Sequence, residues 1–464
     1  MDEPSSETRP DGVAPLKMGQ GDTVTDKRRI AIGPQSDVGS NKTATIHILQ
    51  HQPTGRPIED RYSIDIRVGE TDGLEAGQTT LLLGVYDGHR GSAAAAYVAQ
   101  ALPSEVLTTA AHLSGAADGQ TKPIQNAFER FDQQMSSSFQ DAHSIPTKPA
   151  AHTPRRIFSS ITTKFSKAKR QNGDESGDAG SKITAEGTTA ALRVLSGCTA
   201  SMLMIKVPHD RRGTPSADII NLGDSRVVVA SLSPEPTIQA TSIDLNSAVK
   251  DEQSLIISQH PGDDPTDIFV GGRLFGETLS TRAFGDGIYK LPLRAARSMA
   301  AQNAAGESPK YSELTREERS QHRDLIHQLS AHQQAAAASK GRVKIIPLID
   351  RFDTLFWAYK SPPYVSSTPQ VTKVPLDVGI SSHDDVTNAQ GSRPMVGIVA
   401  TDGLWDLVSS EEAVEILSQA LSHSASPALI DGLNMAQILF GGVIKRTGRR
   451  PGDDVTILVL TITL

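Results

Sequence analysis

The chain has only one cysteine, Cys198, in 464 residues. A single thiol cannot form an intrachain disulfide or a four-thiolate zinc site, and such sparing use of cysteine indicates a reducing compartment. Only 4% of the residues are aromatic and 37% are hydrophobic, so we expect part of the chain to lie in loops outside a packed core. The sequence has no run of 18 apolar residues, and we expect no transmembrane helix.

Three motifs of phosphate-handling proteins are also missing. Cysteine phosphatases have an arginine six positions after the nucleophilic thiolate, and Met204 stands at that position after Cys198. The chain has no Gly-Lys dipeptide and therefore no P-loop, and it has no Asp-Phe-Gly triplet of the protein-kinase type. We interpret Cys198 as a small core residue.

The chain has only a small excess of acidic over basic residues. The 46 basic and 53 acidic residues give a formal net charge of -7, so no sequence-wide basic surface is predicted and we expect no nucleic-acid partner. The first residues include Asp2, Glu3 and Glu7, which is unlike a secretory signal or an acid-poor transit peptide.

Composition divides the chain into two parts. Residues 1–43 are polar and are predicted to be a flexible N-terminal tail. Residues 44–464 are predicted to form one domain with surface insertions at about residues 145–190 and 291–345. Within the first insertion, residues 155–170 fit either a basic amphipathic helix on a membrane surface or, as we favour, a solvated loop.

Hydrophobic periodicity predicts strands and helices without regular alternation between them. This order favours a mixed, mainly antiparallel sheet system covered by helices over a doubly wound parallel sheet. The predicted strands are 62–68, 81–86, 200–207, 218–222, 226–231, 396–400 and 455–463, and the predicted helices are 91–113 and, after a capping box at 409–412, a helix to about 421.

Carboxylates recur at the ends of these strands. Asp87 and Asp402 each follow an apolar strand and precede a glycine, Asp224 follows another strand, and Asp453 directly precedes the last one. An Asp-Gly pair alone most often marks a turn. Together, however, strand-end carboxylates on neighbouring strands would repel one another unless cations neutralise them. Oxygen ligands favour Mg²⁺ or Mn²⁺ over Zn²⁺, and a pair of such ions suits phosphate chemistry.

Seven short motifs follow one another in order along the chain, and four of them contain these acidic residues. They are Pro57-Ile58-Glu59-Asp60-Arg61, Gly84-Val85-Tyr86-Asp87-Gly88-His89, Ser196-Gly197-Cys198-Thr199-Ala200, Asn221-Leu222-Gly223-Asp224-Ser225-Arg226, Thr281-Arg282-Ala283-Phe284-Gly285-Asp286, residues 400–406 and Asp453-Asp454-Val455-Thr456. The set resembles the metal-dependent protein serine/threonine phosphatases of type 2C, the PPM family. The Asp453-Asp454 pair, where most relatives have Asp-Asn, resembles the pyruvate dehydrogenase phosphatase branch.

The resemblance implies an α+β fold, a four-layer α-β-β-α sandwich with two mainly antiparallel sheets flanked by helices. It also implies two Mg²⁺ or Mn²⁺ ions in a cleft at one end of the sandwich. Asp87 would bridge both ions and Gly88 would offer its carbonyl group. Asp402 and Asp453 would complete the shell of one ion, and Glu59 would reach the other.

Three further residues take roles by the same resemblance. Asp60 would sit beside the ions and hold metal-bound waters, and Asp224 would contribute with Asp402 to a weaker third ion. His89 would protonate the leaving seryl or threonyl oxygen, which suits the titration range of histidine. A metal-activated water would attack phosphorus in line, with no covalent intermediate.

One departure from the family concerns phosphate binding. Relatives usually have an arginine four residues before Glu59, and here that position is Gly55, with Arg56 one residue later. Arg56 is one candidate for the phosphate. Arg90, which replaces the usual small residue after Asp-Gly-His, is a second candidate. Alternatively, phosphate binding relies on the metal ions, as the pyruvate dehydrogenase phosphatase branch implies.

The predicted function is metal-dependent hydrolysis of phosphoserine and phosphothreonine in proteins. By resemblance the substrate would be the E1 subunit of a 2-oxoacid (pyruvate) dehydrogenase complex in the mitochondrial matrix. The acidic N-terminus leaves a cytoplasmic location as the alternative. A pseudophosphatase that binds phosphoproteins without turnover ranks lower, because the core metal carboxylates are all present, and a hydrolase of small phosphates is a third hypothesis.

Overall fold

The protein was analysed as a computed structural model. It describes residues 18, 20–32, 43–54, 56–69, 77–112, 121–142, 190, 192–209, 214–232, 235–291, 359–376, 395–422 and 433–463. Gly55 and nearly all of the two predicted insertions, at about 145–190 and 291–345, lie outside these residues.

The described segments contain strands and helices in irregular order. The strands are β1 Thr23–Ala31, β2 Thr43–His51, β3 Arg61–Val68, β4 Gln78–Tyr86, β5 Gly88–His89, β6 Gly197–Cys198, β7 Ala200–Pro208, β8 Ser216–Leu222, β9 Arg226–Ser231, β10 Thr237–Thr241, β11 Phe269–Val270, β12 Arg273–Leu274, β13 Phe284–Gly285, β14 Gln370–Pro375, β15 Met395–Ala400 and β16 Val455–Thr463. The helices are α1 Ala93–Ala111, α2 Thr121–Ala142, α3 Lys250–Gln259, α4 Pro265–Ile268, α5 Gly287–Lys290, α6 Asp402–Trp405, α7 Ser410–Ser422 and α8 Met435–Thr447.

Two large antiparallel sheets dominate the described segments. One sheet has six strands in the order β1-β2-β16-β15-β9-β10, and the other has five in the order β14-β8-β7-β4-β3. Neighbours in both sheets are antiparallel. The expected mainly antiparallel sheet system is confirmed.

The two sheets pack face to face around a shared apolar core. Leu81, Leu83 and Val85 of β4 lie in this core with inward-facing residues of the six-stranded sheet, whereas Leu82 and Tyr86 belong to the cluster that packs against α1 and α2. Both faces of β4 are therefore covered. Two-sided burial explains why its sequence is a continuous apolar run rather than an alternating one.

Helices cover both outer faces of the sandwich. Val98 of α1 and Phe128 of α2 pack on the five-stranded sheet, while Leu417 of α7 and Leu439 of α8 pack on the six-stranded sheet. The four-layer α-β-β-α prediction is thereby confirmed. In the described part of the chain, no helix is both long and apolar enough to cross a membrane.

The predicted capping box opens α7. Ser409 N donates to Glu412 Oε2 at 2.8 Å, and Glu412 N donates to Ser409 Oγ at 3.2 Å. These reciprocal bonds satisfy two backbone donors that the first helical turn leaves without carbonyl partners. The sequence therefore located the start of this helix correctly.

The predicted flexible tail over residues 1–43 is wrong for Thr23–Ala31. These residues form β1, which pairs with β2 over its whole length. This is an edge strand whose side chains are mostly exposed or half-buried. Its order comes from backbone hydrogen bonds to β2, a long-range partner that its polar composition does not reveal.

Candidate active site

Three predicted metal ligands meet at one end of the sandwich. Asp87 follows β4 and Asp224 lies just beyond β8, in the five-stranded sheet, while Asp402 follows β15 in the six-stranded sheet. One carboxylate oxygen from each lies within 4.8 Å of the other two. The two sheets thus deliver three hard oxygen donors to one point.

Electrostatics shows that these carboxylates crowd one another. Burial, followed by the charges of Asp402, Asp60 and Asp224, raises the pKa of Asp87 well above its ordinary value. Such a group resists full ionisation unless a positive charge lies nearby. An all-oxygen donor set with this excess of negative charge fits a divalent cation such as Mg²⁺ or Mn²⁺.

The cleft above this group has a volume of about 650 Å³. Its lining combines an acidic floor with basic side chains, among them Arg449 and Arg450. Of the predicted site residues, Glu59, Asp87, Gly88, His89, Arg90, Asp224, Asp402 and Asp453 line the cleft.

Glu59 and Gly88 approach each other closely through their backbones. A Cβ atom built on Gly88 would lie 2.5 Å from the carbonyl oxygen of Glu59, so only glycine allows this packing. The Glu59 side chain is half-buried, and its Oε1 accepts a hydrogen bond from Gly91 N at 3.1 Å. Burial raises the pKa of Glu59. Asp453 is exposed on the same cleft.

Asp454 fixes the position of Glu59. Its Oδ2 accepts a hydrogen bond from Glu59 N at 2.6 Å, and its Oδ1 accepts one from Gln52 Nε2 at 2.7 Å. Burial is the main cause that raises the pKa of Asp454 to about 6. The sequence analysis did not predict this contact between Asp454 and Glu59.

Asp60 lies behind the cleft rather than on its lining. It is almost completely buried, and its Oδ2 accepts a hydrogen bond from Thr401 Oγ1 at 2.8 Å. Burial and the charge of Asp454 raise the pKa of Asp60 well above its ordinary value. Its predicted contact with metal-bound waters remains a prediction.

His89 is held by a buried aspartate. Its Nε2 lies 2.8 Å from Asp286 Oδ2, and the side chain of Asp286 is inaccessible to solvent. Burial alone would raise the pKa of Asp286, but the charges of His89 and Arg90 outweigh it, so the pKa is lowered. The buried carboxylate of Asp286 therefore fixes the orientation of the His89 ring.

The two arginines proposed for the phosphate take different positions. Arg90 lines the cleft but donates to Asp286 Oδ1 at 2.9 Å and to the Tyr289 hydroxyl at 2.5 Å. Arg56 is exposed and is not part of the cleft lining.

Arg273 is a further basic residue of the cleft, and the sequence analysis assigned it no role in the site. It is buried in the cleft wall on β12, where its NH1 donates to Glu277 O at 3.0 Å. Burial is the main cause that lowers its pKa to about 10. It follows the two-residue turn Gly271-Gly272, both with positive φ, of the β11–β12 hairpin. The Gly-Gly pair predicts a hairpin turn, but it does not indicate that Arg273 lies in the cleft wall.

A larger cavity of about 750 Å³ lies away from this group, next to α2 and α3. Two of its carboxylates pair with cations, since Glu252 bonds Arg282 at 2.6 Å and Asp132 bonds Lys290 at 2.6 Å. The close grouping of Asp87, Asp224 and Asp402 at the strand ends makes the smaller cleft the better candidate for a metal site.

Comparison with known proteins agrees with the motifs. The chain is 25% identical over 206 residues to a protein phosphatase 2C homologue of Schizosaccharomyces pombe, covering 44% of this chain and 32% of that protein. It is 26% identical over 262 residues to a probable protein phosphatase 2C of Arabidopsis thaliana, covering 53% and 38%.

A third relative is the mitochondrial [pyruvate dehydrogenase [acetyl-transferring]]-phosphatase 1 of Saccharomyces cerevisiae, at 21% identity over 372 residues, covering 79% of this chain and 49% of that protein. The chain therefore spans between about a third and half of the length of these relatives. The family model of protein phosphatase 2C matches residues 159–433, more than half of the chain. The resemblance drawn from the motifs is thus confirmed, and the chain belongs to the protein phosphatase 2C family.

Proposed function

We propose that this chain hydrolyses phosphoserine and phosphothreonine in proteins in a reaction that depends on divalent cations. The observation that carries the proposal is the meeting of Asp87, Asp224 and Asp402 within 4.8 Å at the floor of a cleft. Family membership supports phosphatase chemistry, and the all-oxygen donor set supports Mg²⁺ or Mn²⁺.

Residues on both sheets would hold the cations. Asp87, Asp224 and Asp402 form the central group, and Glu59 and Asp453 lie on the same cleft. The backbone carbonyl of Gly88 is the remaining predicted donor. We infer two ions, with a weaker third near Asp224, as the family resemblance implies. When bound, such ions supply an activated water at neutral pH and neutralise charge on the phosphoryl group.

His89 would act as the general acid. Its Nε2 is engaged with Asp286 at 2.8 Å, which leaves Nδ1 as the ring nitrogen that passes a proton to the leaving seryl or threonyl oxygen. The carboxylate of Asp286 orients the ring through this contact. Arg90 in turn holds Asp286 through a 2.9 Å bond.

Arg273 is the residue that we assign to the phosphate. Its guanidinium lies in the cleft wall, and a partly desolvated guanidinium binds phosphate oxygens strongly. Arg90 already bonds Asp286 and Tyr289, and Arg56 lies outside the lining, so both are weaker candidates.

The substrate we propose is the phosphorylated E1 subunit of a 2-oxoacid dehydrogenase in the mitochondrial matrix. Its support is the distant yeast relative, which is named as a mitochondrial pyruvate dehydrogenase phosphatase. Cytoplasmic phosphoproteins are the alternative class. Hydrolysis of phosphorylated E1 compared with unrelated phosphoproteins at equal concentration distinguishes the two.

The test of the activity is hydrolysis of a phosphothreonine peptide by the full chain, with Mn²⁺ and with EDTA. Asp87→Asn is the test variant, and Asp251→Asn, on the exposed face of α3, is the matched control. We expect turnover with Mn²⁺ that EDTA and Asp87→Asn abolish and Asp251→Asn leaves intact. Hydrolysis that persists in EDTA contradicts the proposal, and peptide binding without turnover supports the pseudophosphatase instead.

A further inference from the structure

A second cavity, of about 620 Å³, adjoins the active-site cleft. The two share Arg450, which lines both of them. The remaining walls of the second cavity are mostly apolar. We call it the flank pocket, defined by His51, Pro53, Phe440, Ile444 and Pro451.

The flank pocket has the character of an apolar side-chain site. The rings of His51 and Phe440 pack with centroids 4.9 Å apart, and His51 Nδ1 is hydrogen-bonded to Thr23 Oγ1 at 2.9 Å. Burial lowers the pKa of His51. An aliphatic or aromatic side chain would lose little hydration energy and gain apolar contact here.

Arg450 stands on the lip between the two cavities. It is exposed, and in the part of the chain that the structure describes its side chain has no hydrogen bond or ion pair. It lies on the loop that follows Gly448, the left-handed residue that ends α8, and that leads to the cleft residue Asp453. Its charge is therefore carried on a loop that continues into the candidate metal site.

We propose that Arg450 and the flank pocket form a subsite for the polypeptide that flanks the phosphorylated residue. An acidic side chain near the phosphoresidue would pair with the Arg450 guanidinium, and an apolar side chain further along would enter the flank pocket. The inference deepens the proposed function and rests on it. Two observations choose this occupant: the flank pocket adjoins the cleft at Arg450, and the positive charge of Arg450 is complementary to a carboxylate.

Steady-state kinetics with designed phosphothreonine peptides tests the subsite. One peptide has only alanine around the phosphothreonine, a second adds aspartates, and a third adds aspartates and a leucine. The second and third peptides are each made in two versions, with the added residues on the N-terminal or on the C-terminal side of the phosphothreonine. We expect kcat/KM to rise from the first peptide to the third for one of the two placements. Arg450→Glu should lower kcat/KM for the aspartate peptides about fivefold to tenfold more than for the alanine peptide, chiefly through KM.

Arg446→Gln is the matched control. Arg446 is an exposed arginine one turn away on α8, paired with Glu415 at 2.7 Å, and it lines neither cavity. Arg446→Gln should leave the ratio of kcat/KM between the peptides unchanged. Arg450→Lys should restore part of the kcat/KM for the aspartate peptides that Arg450→Glu loses. Equal losses for all peptides, or the same effect from Arg446→Gln, overturn the subsite. Ile444→Ser tests the pocket separately and should reduce only the benefit of the leucine.

Direct binding separates failure of the subsite from failure of the proposed function. Fluorescence anisotropy with labelled phosphonate analogues of the same peptides needs no turnover. If no peptide is hydrolysed but binding still depends on Arg450 and on the aspartates, the subsite stands and the activity proposal falls. If the affinity does not depend on the residues next to the phosphothreonine, the subsite is refuted. A change in sedimentation behaviour of Ile444→Ser with unaltered peptide binding would identify the face as a contact between copies and also refute it.

Discussion

Replacement of Asp87 by asparagine should stabilise the protein without metal and destabilise it, relative to the wild type, with metal. At an effective dielectric of about 20, two unit charges 4.8 Å apart, the widest spacing within this cluster, repel by roughly 3.5 kcal/mol. Asp87 faces both Asp224 and Asp402, so with all three carboxylates ionised its repulsion at that spacing would be roughly 7 kcal/mol. Uptake of a proton, which its raised pKa permits, removes much of this, and we expect roughly 1–3 kcal/mol to remain.

Equilibrium unfolding in urea, in EDTA and in Mn²⁺, measures both effects without an activity assay. In EDTA, Asp87→Asn should unfold at higher urea concentration than the wild type. At a free Mn²⁺ concentration of about 100 times its dissociation constant, the wild type should gain about 2.7 kcal/mol, and the variant should lose most of that gain. Asp251→Asn, at an exposed position on α3, should show neither effect.

Two outcomes would refute the reasoning. If Asp87→Asn is less stable than the wild type in EDTA, the carboxylates do not repel each other in the folded state as their spacing requires. If Mn²⁺ stabilises both proteins equally, the ion binds elsewhere. A gain in stability with Mn²⁺ but not with Ca²⁺ would show in addition that the site selects ions by size and coordination geometry.

Three further predictions test separate parts of the structure. Burial, and then the charge of Lys27, lowers the pKa of His47 from 6.5 to about 4. The stability linked to this shift is present above pH 6.5 and is lost as the pH falls towards 4. In urea titrations between pH 7 and pH 4.5, the unfolding free energy of the wild type should therefore drop by about 2 kcal/mol more than that of His47→Gln. In peptide assays, Asp286→Asn should lower kcat about 100-fold with little change in KM. Asp286→Glu should retain part of the activity that Asp286→Asn loses. Gly88→Ala should weaken Mn²⁺ binding at least about tenfold by calorimetry, whereas Gly262→Ala, with open space around its would-be Cβ, should not.

Much of the fold could be predicted because the strongest elements carry local signals. The run of β4 is apolar because the opposite sheet and α1 cover its two faces, and the capping box of α7 uses two residues three positions apart. Asp87 and Asp402 stand where β4 and β15 end, so their shared position at strand ends is visible in sequence. These signals act over a few residues, which is the range that periodicity reads.

What escaped prediction depends on partners far away in sequence. β1 is ordered by β2 and not by burial of its own side chains. The residues next to Arg273 in the sequence do not mark it as part of a site, and only the fold places it in the wall of the cleft. Asp454 acts on Glu59, which lies 395 residues away. No local pattern encodes contacts of this kind, and so their roles became visible only in three dimensions.

The hydrogen bonds behind the candidate site join elements of the two sheets before any ion is considered. Asp60, which leads into β3 of the five-stranded sheet, accepts from Thr401 at the end of β15 in the six-stranded sheet at 2.8 Å. Asp454, which leads into β16, accepts from the backbone of Glu59 at 2.6 Å. The central carboxylates also come from both sheets, so their separation is set by how the sheets pack. Because these buried bonds fix that packing locally, the repulsion among the carboxylates cannot be relieved by moving the sheets apart, and proton or cation binding remains the way to relieve it.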